Sequence, residues 1–314
     1  MTRVGAIDCG TNSVRLLVAD IDGDTITDLT REMRIVRLGE GVDKTRRFAD
    51  AALARTFEAC RHYAERMESL GAERVRFVAT SASRDATNRE EFFAGVREIF
   101  GVDAEVVTGH EEAALSFAGA TRELAGSPSV HPPFLVVDIG GGSTEFVLGS
   151  HEVEAACSVD VGSVRLAERH FAADPATPDQ IEDARADVVR ALETVERQVP
   201  TRQAATLVGL AGSVTTVAAI ALGLTRYDPD RIHHARVPAR EVHQVTQRLL
   251  AMTSAQRAAL PVMHPGRADV IAAGALVLDT IVRRLAVDQV VVSEHDILDG
   301  IAWGLVEPVE GAAS

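Results

Sequence analysis

Apolar residues occur along this chain in short runs that glycine and hydroxyl residues separate. Residues 4–20 read VGAIDCGTNSVRLLVAD, so two hydrophobic runs flank a short polar loop. Residues 134–149, FLVVDIGGGSTEFVLG, have the same layout, with three consecutive glycines in the loop. Runs of this length, bounded by turn residues, are typical of buried strands. Each stretch therefore predicts a β-hairpin closed by a glycine-containing loop.

The two hairpins align residue by residue, which indicates a duplicated unit. The matched pairs are Asp8 with Asp138, Gly10 with Gly140, Ser13 with Ser143, and Arg15 with Glu145. Glycine peptides can present their N–H groups to an anion because no Cβ stands in the way. One such hairpin is equally well explained by turn geometry alone. Two copies with matched acids favour two similar halves that close on one phosphate ligand.

The rest of the chain alternates between period-2 and helical hydrophobic patterns, which predicts an α/β fold. Glycine ends the first long helix at Gly71. Capping boxes are predicted at Asn88–Glu91 and at Thr177–Gln180. The predicted elements are strands at Thr25–Thr30, Arg74–Ala79, Ala104–Val107, Val153–Cys157, Thr206–Leu210 and Gln289–Ser293, and helices at Asp50–Leu70, 89–100, from Gly109, Thr177–Arg197, 239–251, 254–259, 266–285 and Asp296–Val306.

Length and composition bound the class of protein. At 314 residues two domains are expected, and a linker rich in proline and serine, Gly126–Pro133, marks the boundary. The net charge of −14, without a basic cluster, argues against a nucleic-acid partner. Three scattered cysteines and the lack of a signal peptide predict a cytoplasmic protein. Cys9, inside the first loop, is interpreted as a small buried residue rather than a nucleophile.

The motifs exclude or disfavour three features: a P-loop, a membrane span and a metal site built on histidine. No GxxxxGK[ST] sequence occurs, which excludes a P-loop. Residues 203–225 carry no charge, but early glycine and hydroxyl residues favour a strand, a turn and a core helix over a membrane span. His233 and His234 by themselves would lack a third metal ligand.

Five strings carry a family resemblance: residues 6–20, 79–92 (ATSASRDATNREEF), 108–120 (TGHEEAALSFAGA), 136–149 and 209–216 (GLAGSVTT). They are similar, in the same order, to the exopolyphosphatase/guanosine pentaphosphate phosphohydrolase family, in its short two-domain form. That family belongs to the acetate kinase–sugar kinase–actin–chaperone superfamily. The resemblance implies two ribonuclease-H-like (actin-like ATPase) domains with the active site in the cleft between them. We expect the first domain at 1–125, with a helix at about 296–314 packed back on it, and the second at 134–295.

The resemblance also implies roles for individual residues. Glu112, the second acid of the G-x-E-E-A string, would be the catalytic base, whereas Glu111 is interpreted as a complement to the helix dipole. Arg84 follows a strand end and suits bidentate contact with phosphate. Asp138 and Glu145, with Asp8, would hold Mg²⁺ or Mn²⁺. The predicted phosphate-binding residues are Gly10, Thr11, Asn12, Ser13, Arg84, Gly140, Gly141, Gly142, Ser143, Thr144, Gly212 and Ser213.

The implied reaction is release of orthophosphate from the end of inorganic polyphosphate, or of the γ-phosphate from guanosine pentaphosphate. A homodimer is expected by family habit. Two alternatives stay open: an ATP-dependent kinase of the same superfamily, and a non-catalytic sensor of guanosine tetraphosphate or polyphosphate. The chain departs from the family near residue 298, where Leu298 replaces the arginine of an S-x-x-x-L-R-E-G string, and at Ala114, where family members commonly have arginine.

Overall fold

The structure is a computed structural model, and it describes residues 1–23, 25–124 and 130–306. Within it the chain forms two compact units: residues 1–119 joined by the chain from Ile297 onward, and residues 120–296. Half of the predicted linker, residues 126–129, lies outside the described residues. The same holds for the part of the predicted C-terminal helix beyond residue 306.

The first unit is a five-stranded sheet in the order β3-β2-β1-β4-β5. The strands β3, β2 and β1 are antiparallel, and β4 and β5 run parallel to β1. The elements are β1 (Thr2–Cys9), β2 (Ser13–Asp22), β3 (Thr25–Ile35), β4 (Arg74–Ala79), β5 (Ala104–Val106), α1 (Val42–Thr45), α2 (Asp50–Leu70), α3 (Ser81–Asp85), α4 (Arg89–Phe100), α5 (Gly109–Thr121), which starts in this unit, and α13 (Ile297–Gly304).

Both faces of this sheet are buried, which explains the unbroken apolar runs in the sequence. On β2, Leu16 and Val18 face one cluster, which includes Phe77 and Phe92. Leu17 and Ala19, which alternate with them, face a second cluster that α13 supplies with residues such as Trp303. Alternation along a strand sends neighbouring side chains to opposite faces. A strand that is covered on both sides therefore needs apolar residues at every position.

The second unit repeats this plan. Its sheet has the order β10-β11-β9-β6-β7-β8. The strands β6, β7 and β8 are antiparallel, and β9 and β11 continue the sheet in parallel. The elements are β6 (Phe134–Ile139), β7 (Thr144–Gly149), β8 (Val153–Val159), β9 (Thr206–Leu210), β10 (Arg236–Pro238), β11 (Gln289–Val292), α6 (Ser163–His170), α7 (Pro178–Gln198), α8 (Ala211–Ala221), α9 (Pro229–Ile232), α10 (Ala239–Ala251), α11 (Ser254–Ala258) and α12 (Ile271–Leu285). The predicted fold class, two ribonuclease-H-like α/β units, is confirmed.

The structure corrects three local predictions. The strand β3 continues to Ile35, where an irregular segment was expected after Thr30, because residues 31–35 pair with β2. The helix predicted at 266–285 starts at Ile271, because a short 3₁₀ turn precedes it. Asn88 is the N-cap residue of α4, as predicted, but its side chain makes no capping hydrogen bond, so the predicted capping box does not form. Its Oδ1 accepts instead from the Phe48 N–H at 2.8 Å.

Other local predictions are confirmed. The Thr177 side chain accepts from the Gln180 N–H, and Gln180 bonds back to Thr177, in the expected capping box. The uncharged stretch 203–225 forms β9 and α8. Across the described residues, the helices are too short or too polar to cross a bilayer.

A glycine in α13 is required by a close helix contact within the first unit. A Cβ at Gly300 would overlap the Leu115 carbonyl of α5, whereas one at Gly304 would meet only the tip of Arg76. We expect Gly300→Ala to lower the free energy of unfolding by about 1–3 kcal/mol, because rigid backbone must move. Gly304→Ala is the matched control, with a gain of up to about 1 kcal/mol from helix propensity. Thermal unfolding measures both, and equal stability of the two variants would contradict the packing argument.

Candidate active site

The predicted site residues of the first unit lie at one edge of its sheet. Cys9 of β1 pairs with Ala79 of β4, which in turn pairs with Val106 of β5. The segments that follow these parallel strands therefore start side by side. They are residues 10–13, here called loop 1, the turn into α3, and the start of α5. The carboxyl edge of parallel strands is where ligands bind in open α/β sheets.

Glu112 and Arg84 form an ion pair at this edge. The Arg84 guanidinium donates to Glu112 Oε2 at 2.7 Å and to the Val107 carbonyl at 2.9 Å. The Glu112 residue is only 8 % exposed. The predicted base and the predicted phosphate ligand are thus brought into direct contact.

The environment of Glu112 favours its neutral form. Burial raises the pKa of its carboxyl to about 7, against the lowering effect of Arg84 and with a further increase from the charge of Asp8. A carboxyl with a pKa near the working pH is suited to accept and return protons.

The neighbouring acid, Glu111, has a different and purely local role. Its carboxylate accepts from the Thr108 N–H at 2.7 Å and from the Thr108 hydroxyl at 2.9 Å. The Glu111 N–H bonds back to the same hydroxyl at 3.2 Å. The sequence T-G-H-E is a capping box that the sequence analysis missed, although the pattern was readable.

The two matched hairpins differ at the position opposite their aspartate. In the first unit Asp8 pairs in register with Arg15. Arg15 donates from Nε and Nη2 to one Asp8 oxygen, at 2.9 and 2.6 Å. Asp8, predicted as a metal ligand, is therefore held by an arginine on its own sheet.

In the second unit Asp138 pairs in register with Glu145. Both are buried, at 7 % and 1 % exposure. Glu145 accepts from the Ser158 hydroxyl at 2.7 Å. Carboxylate oxygens are the ligands that a hard divalent cation prefers, so two facing carboxylates fit such an ion by donor chemistry.

Residues 140–143, here called loop 2, turn their carbonyl groups toward the start of α6. The hydrogen bonds that hold them include those from the Ser163 N–H to Gly140 O at 2.9 Å, from the Val164 N–H to Gly141 O at 2.9 Å, and from Arg165 Nε to Gly142 O at 2.7 Å. In a trans peptide the carbonyl and the following N–H point in opposite directions.

The N–H groups that follow these carbonyls, on Gly141, Gly142 and Ser143, therefore point away from α6. None of the three donates to an acceptor within residues 1–23, 25–124 or 130–306. Successive N–H groups that share one direction form an anion-binding nest.

Loop 1 is held in a similar way by residues 36–39. Asn12 O accepts from the N–H groups of Val36 and Arg37 at 3.0 and 2.9 Å, and Thr11 O accepts from Gly39 at 2.8 Å. The Thr11 hydroxyl is bonded to Ser81 at 2.9 Å, so it is already engaged inside the unit. The contribution of Ser81 was not found from the sequence.

The hydroxyls predicted in the second unit are differently placed. The Thr144 hydroxyl donates to the Val161 carbonyl at 2.5 Å, so its proton faces the protein rather than a ligand. Ser143 is 2 % exposed. Gly212 and Ser213 start α8 at the carboxyl edge of β9, next to β6. The Arg267 guanidinium covers Gly212 so closely that a Cβ there would overlap it.

Cys9 is buried and unreactive, as expected. Its side chain is 1 % exposed, and burial raises the pKa of its thiol well above the ordinary value. A thiol in this state is not a nucleophile.

Two further ligand-type side chains lie beside His233. Glu123 Oε2 is 3.1 Å from His233 Nε2 and 3.5 Å from His295 Nδ1. However, His233 Nδ1 accepts from the Glu294 N–H at 3.1 Å. The proton of the neutral ring must then be on Nε2, where it is donated to Glu123. The cluster is therefore a hydrogen-bonded network in this form, and His233 has no lone pair at Nε2 to offer a metal.

Comparison with known proteins gives a consistent result. The sequence model described as the Ppx/GppA phosphatase family matches residues 17–307. Exopolyphosphatase 2 of Mycobacterium tuberculosis is 53% identical over 318 aligned positions, which cover 97% of this chain and 99% of that protein. A guanosine-5'-triphosphate,3'-diphosphate pyrophosphatase of Aeromonas hydrophila is 27% identical, over 96% of this chain and 59% of that protein.

A solved structure shares the fold over almost the whole chain. The crystal structure of an exopolyphosphatase-like protein superposes with a TM-score of 0.93 at 41% identity, covering 96% of this chain and 97% of that one. The family resemblance read from the motifs is thereby confirmed.

The raised pKa of Glu112 predicts a pH-dependent difference in stability. The pKa of Glu112 is about 7 in the folded protein, against 4.5 for the free group. Its stabilising contribution to the free energy of unfolding is therefore complete below pH 4.5 and is lost as the pH rises to about 7. Glu112→Gln stays neutral, so its free energy of unfolding relative to wild type should increase over that range, by the order of 1–3 kcal/mol. Urea unfolding at a series of pH values measures this difference.

Glu111→Gln is the control for that experiment. Hydrogen bonds from Thr108 lower the pKa of Glu111. Its ionised form is therefore the stabilising one above pH 4.5, and that stabilisation is lost as the pH falls. Between pH 4.5 and 7 the variant should therefore keep a constant difference from wild type, because its pH-dependent change lies below pH 4.5 and has the opposite sign. A Glu112→Gln difference that is constant from pH 4.5 to 7 would show that the carboxyl is not perturbed.

Proposed function

The chain belongs to the Ppx/GppA phosphatase family, and from this premise we propose that it is an exopolyphosphatase. It hydrolyses the terminal phosphoanhydride of inorganic polyphosphate and releases orthophosphate. The observation that carries the proposal is the buried Glu112, with a pKa of about 7, in contact with Arg84 beside loop 1. This arrangement combines a proton acceptor and a phosphate ligand at one sheet edge.

Glu112 acts as the general base in this proposal. Its carboxylate takes a proton from the attacking water, and the bond from phosphorus to the leaving phosphate breaks as the water oxygen attacks. Proton transfer by a placed carboxylate contributes about 10²–10⁴-fold in typical enzymes. Arg84, which neutralises Glu112 in the free protein, is released to the terminal phosphate when substrate binds. That exchange leaves Glu112 ready to accept the proton.

Each loop binds phosphate oxygens through its N–H groups in this proposal. Loop 2 offers the N–H groups of Gly141, Gly142 and Ser143, and loop 1 offers that of Asn12. Phosphoryl transfer depends mainly on positioning and on neutralising the phosphate oxygens. The remaining predicted ligands would shape the loops around these N–H groups, and not all of them would donate to the substrate. They are Gly10, Thr11, Ser13, Gly140, Thr144, Gly212 and Ser213.

Asp138 and Glu145 would hold Mg²⁺, with Mn²⁺ as the alternative. When bound, the ion would neutralise negative charge on the phosphate oxygens. Asp8 is a weaker candidate, because Arg15 already holds one of its oxygens.

Polyphosphate is the first substrate to test, and guanosine pentaphosphate is the second. The name of the M. tuberculosis relative refers to the former, at 53% identity, and that of the A. hydrophila relative to the latter, at 27%. A sensor without turnover would not need a buried base at Glu112, and a kinase would need that base to face an acceptor hydroxyl. The homodimer and the cytoplasmic location stay predictions.

The hydrolase proposal predicts loss of turnover in Glu112→Gln. We expect wild type with Mg²⁺ to release phosphate from polyphosphate, and the variant to be slower in kcat by at least about 10²-fold, because the base is missing. Phosphate release from short polyphosphate, long polyphosphate and guanosine pentaphosphate would rank the substrates. Glu111→Gln is the matched control, since glutamine still completes the capping box, and it should keep wild-type kcat. Binding of all three compounds without release by wild type would support the sensor instead.

The carboxylate pair predicts a defect in metal binding. Asp138→Asn should raise the Mg²⁺ concentration needed for half-maximal thermal stabilisation by about 10-fold or more, because one charged ligand is removed. Glu154→Gln, on the exposed side of β8, is the control and should bind Mg²⁺ like wild type. The readout is the melting temperature without substrate, so it does not depend on turnover. Identical Mg²⁺ titrations for all three proteins would exclude Asp138 as a ligand.

A further inference from the structure

The start of α6 lies directly behind loop 2, and the sequence analysis gave it no role. The first N–H groups of a helix have no partners within the helix, and they commonly bind an anion. Here the Ser163 N–H donates to the Gly140 carbonyl and the Val164 N–H to the Gly141 carbonyl. The Arg165 N–H also donates to Gly141 O, at 3.1 Å. The N–H groups at the start of α6 therefore bind the carbonyl groups of loop 2 instead of an anion.

Arg165 extends this contact to the last peptide of loop 2. Its side chain is buried, at 7 % exposure for the residue, and its Nε donates to Gly142 O at 2.7 Å. A hydrogen bond from a charged donor is roughly twice as strong as one between neutral groups. Polarisation of the carbonyl also makes the N–H at the other end of the peptide a better donor.

Gly162 shows that this contact is constrained. Its φ of −145° and ψ of 169° are open to any residue. A Cβ at this position would nevertheless overlap the peptide between Gly141 and Gly142. Glycine is therefore required by the approach of loop 2 and not by the local backbone conformation.

We propose that Gly162–Arg165 is the positioning segment of the phosphate site in the second unit. It fixes three consecutive peptides so that the N–H groups of Gly141, Gly142 and Ser143 face the ligand, and it transfers the positive end of α6 and the charge of Arg165 to them. The inference rests on the proposed function, in which loop 2 binds a phosphate group. Residues 36–39 hold loop 1 in the corresponding way, although from a different element.

A proline substitution at Ser163 removes the hydrogen bonds of this residue to loop 2. Ser163 is the first residue of α6, where proline is well tolerated, and it follows an extended residue, as proline prefers. Ser163→Pro deletes the N–H and the hydroxyl, which donate to Gly140 O at 2.9 and 3.3 Å, whereas Ser163→Ala deletes the longer hydroxyl bond and keeps the N–H. We expect the proline variant to raise KM for tripolyphosphate by about 10-fold or more, the equivalent of at least one lost hydrogen bond, with kcat changed much less. The alanine variant should raise KM by a smaller factor than the proline variant.

A steric variant tests the same contact from the other side. Gly162→Ala should raise KM for tripolyphosphate by about 10²-fold, because loop 2 must move by a fraction of an ångström to an ångström. Gly95→Ala is the control for general overpacking, since its Cβ would overlap the Phe57 ring in the first unit. It should lower the melting temperature and leave KM unchanged.

Amide resonances report on loop 2 without any turnover. In ¹⁵N-glycine-labelled wild type, orthophosphate should shift the Gly141 and Gly142 N–H signals. In Ser163→Pro the shifts should need about 10-fold more orthophosphate, while Ser163→Ala should lie between the proline variant and wild type. Wild-type KM and shifts in both Ser163→Pro and Gly162→Ala would overturn the positioning role and leave the hydrolase proposal intact. An active wild type whose Gly141 and Gly142 signals ignore orthophosphate would also overturn it, whereas an inactive wild type would refute the proposed function itself.

Discussion

Each glycine loop can face an anion only because its carbonyl groups are hydrogen-bonded elsewhere. A planar trans peptide couples the two directions, so a bound carbonyl fixes the N–H on its far side. Loop 2 is held through its carbonyls by the start of α6, and loop 1 by residues 36–39. The glycines alone would allow many loop conformations. The hydrogen bonds from the segments behind the loops stabilise one of these conformations. In that conformation the loop N–H groups point away from these segments and can donate to an anion.

The duplicated hairpins share a backbone but have opposite electrostatics. Asp8 faces Arg15 across one pair of strands, and the charges compensate within the sheet. Asp138 faces Glu145 across the other, so a second acid stands where the first unit has a base. The first unit thus pairs an acid with a base at this register position, and the second pairs two acids. A single difference at one register position separates these two chemistries.

Burial gives Glu112 a property that Glu111 lacks, although the two are neighbours in sequence. Glu111 is exposed and completes a cap with Thr108. Glu112 faces inward, and loss of solvent raises its pKa to about 7 despite the contact with Arg84. The helix turn decides which acid faces the interior, since adjacent residues on a helix point about 100° apart. The ion pair with Arg84 keeps the buried carboxyl from being an isolated charge.

The sequence by itself determined the features that depend on local pattern and on one-to-one matching. These were the two hairpins, the positions of the later strands, the Thr177 capping box and the family motifs with Glu112. Only the tertiary structure decided which polar groups already have partners. Thr144 is bonded to Val161, Thr11 to Ser81, and Asn88 to Phe48 rather than to its own helix. The same reason applies to Arg165, whose partner Gly142 lies 23 residues away. The sequence gives the chemical type of each side chain, but its hydrogen-bond partner depends on how distant segments of the chain pack together.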